Sequence, residues 1–248
     1  MRILILITLI SYTLIGQVIQ KDEQKNNLLV LSINHTLQIP GGNMADRFGT
    51  NSNISGMLLY KTYNNFTIHL EIGALFGPKV KEVNLFEPID GNNGNLISQN
   101  GEIPTIRLFE RGAHIDINIG KYIQLPNKRS ESAILLSLGT GYLYHKILIE
   151  TLTTELPQLN EDLIKGYDKL CGGFFTKEFI GYLHFSKKTN IRYIVGLEFI
   201  QAYTKDLRQY DYTTQSINTD KRMDYLFGIK TGFMIPISKR TSDRYYYY

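Results

Sequence analysis

The chain has 248 residues, of which 43% are hydrophobic and 20% charged, so it is not a disordered polypeptide. Its net charge of +4 is too small and too evenly spread to suggest nucleic acid as a partner, and its one cysteine, Cys171, excludes a disulfide framework and any multi-cysteine metal site. Seventeen Tyr, 12 Phe, no Trp, and 21 Gly against 7 Pro suit strands and turns better than helices.

At the start, Arg2 precedes the uncharged run from Ile3 to Ile15. A membrane-spanning helix needs about 20 apolar residues, so the run has the length of a signal-peptide core. Residues 1–16 are expected to be a signal peptide, with 17–248 as the mature chain. No cysteine follows the run, which argues against a lipoprotein signal.

Beyond it the sequence alternates repeatedly between apolar and polar residues. Ile68, Leu70 and Ile72 oppose His69, Glu71 and Gly73; Ile115, Ile117 and Ile119 oppose Asp116, Asn118 and Gly120. In 191–203, Tyr193, Val195, Leu197 and Phe199 oppose Arg192, Gly196 and Glu198. In 225–237, Phe227, Ile229 and Phe233 oppose Gly228, Lys230 and Gly232. With weaker patterns near 28–37, 54–63, 133–146 and 176–186, eight strands of about ten residues are predicted, the length of a tilted strand that crosses a bilayer. The polar face is mostly Gly and small residues with isolated charges, which suits the crowded interior of a narrow barrel with lipid outside. Connections alternate between short (64–65, 125–132, 187–190) and long (38–53, 77–112, 148–174, 204–221). A soluble sandwich has no reason to sort loop length in this way. The expected fold is all-β, an eight-stranded antiparallel transmembrane β-barrel with long extracellular loops and short periplasmic turns. The last strand is followed by a charged break and Tyr245 to Tyr248, read as a short periplasmic tail.

Four stretches, Met44 to Gly49, Phe109 to Gly112, Lys165 to Leu170 and Glu178 to Tyr182, give the chain a resemblance to an uncharacterised family of outer-membrane β-barrel proteins from Bacteroidetes. The resemblance implies a fold and a place in the outer membrane. It brings no catalytic residues.

Charges at inward positions are expected to form an ionic network in the lumen: Glu71, Asp116, Glu178 and Glu198 with Lys61, Arg192 and Lys230. Glu198 and Lys230, on neighbouring strands at similar depth, form the expected pair. An eight-stranded barrel holds little more than its own side chains, so the network reads as a plug rather than a pore. His69, His114, His145 and His184 are also placed inward, but on four strands at differing depths, which does not suit a metal. His145 and Ser137 are the nearest catalytic candidates. They lie on one strand roughly 26 Å apart at 3.3 Å per residue, beyond hydrogen-bond reach. No catalytic role, cofactor or metal is expected.

Within the loops, 90–95 looks like a calcium loop without its distal Glu, and Asn100-Gly101 is a hairpin signal. Leu156, Leu159, Leu163, Tyr167 and Leu170 recur at helical spacing, with Asn160 as a cap. Apolar loop residues outside the cell favour a stable protein partner. Leu159, Leu163 and Tyr167, then Met44 and Phe48, are the expected contacts. The reading is an accessory or structural subunit of an outer-membrane assembly or secretion complex, surrounded by the lipid bilayer and touching other outer-membrane proteins. A free-standing surface-binding barrel is the alternative, and a lipid-modifying enzyme a more distant one.

Overall fold

The computed structural model describes residues 27–237, apart from 91–95, 127–131, 153–155, 161, 186–191, 209 and 219–220. The expected signal peptide and tyrosine tail lie outside the described residues. Eight antiparallel strands close into one barrel: β1 (Leu28–Gly42), β2 (Asn51–Lys61), β3 (Phe66–Gly77), β4 (Ile106–Gln124), β5 (Ala133–Thr151), β6 (Cys171–Phe185), β7 (Arg192–Asp206) and β8 (Lys221–Pro236). Each strand pairs with its sequence neighbours, and β1 closes the ring against β8 through a register from Val30↔Pro236 to Gly42↔Asp224. The hairpin signal at Asn100-Gly101 is a local turn, with the Gly101 amide donating to the Ser98 carbonyl, and adds no strands to the wall.

Alternation decides which side of the wall each residue occupies. On β3 the even residues Phe66, Ile68, Leu70 and Ile72 are exposed, while Thr67, His69 and Glu71 are buried. The same holds around the ring: Leu31, Ile33, Ile54, Ile117, Leu138, Leu197 and Ile229 all face outward. An exposed apolar belt around a closed barrel with a polar interior has one stable environment, the hydrocarbon of a bilayer. Aromatic residues mark its two rims. Tyr60, Phe66, Tyr182 and Tyr193 lie toward the short-turn side; Phe76, Tyr144, Phe174 and Tyr203 lie toward the long-loop side. The chain is thus an outer-membrane-type β-barrel. No helix among the described residues is long enough to cross a membrane; the strands cross it.

The interior is layered. Near the short turns, Val30, Met57, Leu59, Tyr122, Leu135, Phe179, Leu183 and Ile194 form an apolar floor. Polar and charged side chains fill the middle. Above them Met44, Phe48, Leu75, Leu85, Leu143, Ile147, Leu156, Leu159, Tyr167 and Phe175 form an apolar cap. Loop residues supply much of the cap. A short helix, α1 (Asn43–Arg47), carries Met44 down into it and Phe48 follows directly; both are fully buried. Strands β4 and β5 run for 19 residues each, well beyond the expected ten, because their upper halves hold Ile106 and Leu108 of β4 and Ile147 and Ile149 of β5 against this cap. The expected helix of the third long loop is instead two 3-10 turns, Pro157–Leu159 and Leu163–Gly166. Asn160 is not the N-cap of the second, which is Asp162, but its Oδ1 accepts from the Asp162 and Leu163 amides at 3.1 and 2.9 Å and so leads the chain into that turn.

Candidate functional site

The polar middle layer is an ion network drawn from five strands. Lys230 on β8 donates to both carboxylate oxygens of Glu71 on β3, at 2.8 and 2.9 Å, and meets Glu198 on β7 at 2.5 Å. Lys177 on β6 donates to Glu71 at 2.8 Å and pairs with Asp116 on β4. His114 Nδ1 donates to Asp116 at 2.8 Å, and its Nε2 contacts the Asn53 amide. Ser55 and Gln38 supply donors to Glu71 and Glu198. Every member is buried, so the charges lie in a medium where an unpaired ion costs several kcal/mol. Two ammonium groups face three carboxylates. Lys230 also lies 5.3 Å from the centre of the Phe179 ring, whose edge covers Gly181 and Gly196. A Cβ at either glycine would fall on that ring.

Four of the seven expected lumen charges, Glu71, Asp116, Glu198 and Lys230, thus meet in one cluster. Lys61 and Arg192 are on inward positions but at the short-turn end, beyond the apolar floor; Lys61 lies over the Tyr122 ring at 5.1 Å. Glu178 is on the opposite side of the wall from the one expected. The expected parity of β6 is reversed, because Phe175, Phe179 and Leu183 turn inward to fill the lumen and take Lys177 with them. Lys177, central to the network, was missed for that reason. The same reversal puts His184 outside, beside Ser132 at 3.2 Å and stacked on Tyr193. His145 is buried against Asp224 at 3.1 Å, far from Ser137 in the strand register. No group of three metal-ligating residues occurs among the described residues.

The expected partner contacts are also corrected. Met44, Phe48, Leu159 and Tyr167 are buried in the cap, and Leu163 alone of the five is substantially exposed. Their apolar surface is covered by the barrel's own loops. Those loops are tied together by ion pairs: Arg47 with Glu82 at 3.1 Å, Asp168 with Arg208 through two hydrogen bonds, and Lys169 with Asp211 at 2.5 Å. On the outer face of the cap, Tyr167, Tyr210, Tyr212, Pro88, Ile89 and Gln215 line an open cleft of about 230 Å³.

What departs from the barrel pattern is outside, in the lipid belt. Glu178 is the central residue of fifteen-residue β6, exposed, and four residues from both Tyr182 and Phe174 on the same face. Around it are exposed Thr176 on the same strand, exposed Thr140 opposite Thr176 on β5, and half-buried Gln201 opposite Thr176 on β7. Gln201 Nε2 donates to Glu178 at 3.3 Å. On another wall His35 is likewise central in fifteen-residue β1 and exposed between Ile33 and Leu37. Thr231 on β8, opposite His35, donates its hydroxyl to the His35 carbonyl. Ionisable residues facing lipid are rare, since lipid offers them no partner.

No protein-family model and no curated protein matches the chain. Among solved structures it is similar to Ail, the attachment invasion locus protein of Yersinia pestis, in complex with the heparin analogue sucrose octasulfate. The identity is 7%, with 85% of this chain and 99% of that chain covered and a TM-score of 0.39. It is also similar to the outer membrane protein OprG from Pseudomonas aeruginosa, at 8% identity, 84% and 95% coverage and a TM-score of 0.40. A third similar structure is the outer membrane protease OmpT from Escherichia coli, at 9% identity, 88% and 99% coverage and a TM-score of 0.31. With a protease among these barrels, the expectation that the architecture carries no catalytic role is withdrawn, because fold does not decide function.

Proposed function

We propose that the protein is a structural subunit of an outer-membrane assembly, joined to its neighbour through the lipid-facing wall of β5, β6 and β7. This moves the contact expected from the sequence away from Met44, Phe48, Leu159 and Tyr167, which are buried in the cap, to the belt. One observation carries the reading: Glu178, with Gln201, Thr176 and Thr140, forms a polar patch between the two aromatic rims. In lipid the patch is a penalty; against a protein that donates hydrogen bonds it is an adhesive.

The test is extraction of native membranes in mild detergent followed by size analysis. The wild-type protein is expected to run as a complex. The Glu178→Leu variant is expected to run as a lone barrel that keeps its heat-modifiable band, since leucine suits lipid at least as well as glutamate does. A wild-type protein that extracts as a lone barrel overturns the reading and leaves the tyrosine-lined cleft, and with it surface binding, as the better one.

A further inference from the structure

We infer that the neighbour at Glu178 is a second copy of this chain, which presents the wall of β8, β1 and β2 and places His35 against Glu178. The inference rests on the proposed function and names its partner.

Depth is the first argument. All copies of a barrel in one membrane share one orientation, so a residue meets its counterpart across a contact only where both lie at the same height. Glu178 and His35 are each the eighth of fifteen residues in their strands, β6 and β1, and both face lipid. Two barrels laid side by side therefore bring a carboxylate and an imidazole to one level without tilt or vertical slip.

Chemistry is the second. A carboxylate accepts hydrogen bonds and an imidazole N–H donates one, and such a bond strengthens where water is excluded. Each residue also has polar neighbours on its own wall, Gln201 and Thr176 around Glu178, and Thr231 beside His35. Around them both walls are mainly apolar, with Leu136, Leu138, Ile180 and Leu197 on one and Ile33, Leu37, Ile54 and Ile229 on the other.

Shape is the third. Gly56 on β2 opposes Ile33, next to His35 on the belt, and a Cβ built there would have nothing within 4 Å. The wall has a dent beside the histidine, and small residues at such points let membrane-embedded surfaces approach closely.

The two walls are distinct: β6 and β1 are separated by β7 and β8. A contact between unlike faces leaves each copy with one wall still open, so it continues into a row or a ring rather than stopping at a dimer.

The experiment uses the full chain in its own membrane, with Cys171→Ser as background. An Ile33→Cys, Ile180→Cys double variant, which keeps His35 and Glu178 and places the thiols beside them on the same outward faces, is expected to give a ladder of dimers, trimers and larger species with a short bismaleimide. Co-expressed single variants are expected to stop at dimers, and each single variant alone is expected to stay monomeric. A second arm exchanges the partners: His35→Glu and Glu178→His each dissociate the complex, and the double exchange restores it. Efficient cross-linking of Ile180→Cys with itself, or absence of any ladder, overturns the self-assembly inference. In that case, loss of the native complex in Glu178→Leu still supports a different neighbour at the same wall, whereas a complex unaffected by Glu178→Leu removes the proposed function as well.

Discussion

Glu71 shares its two oxygens between Lys177 and Lys230, so it holds together ammonium groups from strands that are not neighbours. Residues around it are not equivalent, because the layer has more acids than ammonium groups. Lys230→Met leaves Glu198 without its ion partner and one lysine among three carboxylates. It is expected to lower stability by about 3–5 kcal/mol, the range for breaking a buried ion pair. Glu71→Gln removes a negative charge from a layer that has an excess of them and keeps the shape, so its loss is expected to be smaller. Urea unfolding in detergent, followed by sheet dichroism, compares the two; equal midpoints would mean that the charge count does not govern the layer. The same residues show what alternation in the sequence can reveal. On β3 the outward residues are all apolar, and Thr67, His69 and Glu71 on the other face are polar, so the side of Glu71 is plain. On β6, Phe174, Phe175, Phe179 and Ile180 put apolar residues on both faces, and Lys177 and Glu178 put a charge on each. Such a strand reads equally well either way up. Volume inside the barrel, which needs Phe175 and Phe179, settles the choice, and volume is a property of eight strands together.

At the scale of elements, the fourth long loop, 207–220, is fastened by the Lys169–Asp211 pair, by Asp211 accepting the Thr213 and Thr214 amides, and by Thr213 donating to the Leu85 carbonyl. Burial raises the Asp211 pKa, but the Lys169 ammonium and the two amides outweigh it and hold the carboxyl below the usual range. A depressed carboxylate stabilises the folded loop fully above its ordinary pKa and loses that contribution as pH falls through the lowered folded value. Protease nicking within 207–220 is therefore expected to stay constant from neutral pH down to the ordinary carboxylate range, and to rise below it. Asp211→Asn is expected to show the raised level at neutral pH; nicking that ignores both changes would disprove the fastening. The elements also explain where the sequence misleads. Leucine and tyrosine at helical spacing in 156–170 reflect two 3-10 turns laid on the cap, with Gly166 against the Tyr212 ring. Strands β4 and β5 outrun their alternation because above the belt the outside is no longer lipid and the pattern loses its cause.

For the whole molecule, strand number, order and the sorting of short and long connections follow from periodicity alone, since one face must meet hydrocarbon. The candidate site was legible in part for the same reason: inward charges on well-patterned strands meet, while the belt patch depends on a parity that periodicity left open. The layered lumen has a consequence for transport. An apolar floor, an ion-paired middle and an apolar cap leave no continuous wet path, so planar bilayers holding the protein are expected to show no stable conductance. A steady channel of reproducible size would refute the layered filling.

The ion layer also constrains the order of events as the barrel forms. Glu71 and Lys230 are 159 residues apart in the chain and reach each other across the lumen. The β7–β8 hairpin can pair Lys230 with Glu198, but no local hairpin gives Glu71 an ammonium partner: β3 with β4 brings it beside Asp116, and the two are like charges. Until β1 meets β8, these ions are tolerable only while water surrounds them. Insertion must therefore proceed through a curled, still hydrated sheet whose inner surface dries last, so the seam between first and last strands sets the moment at which the protein becomes a membrane protein.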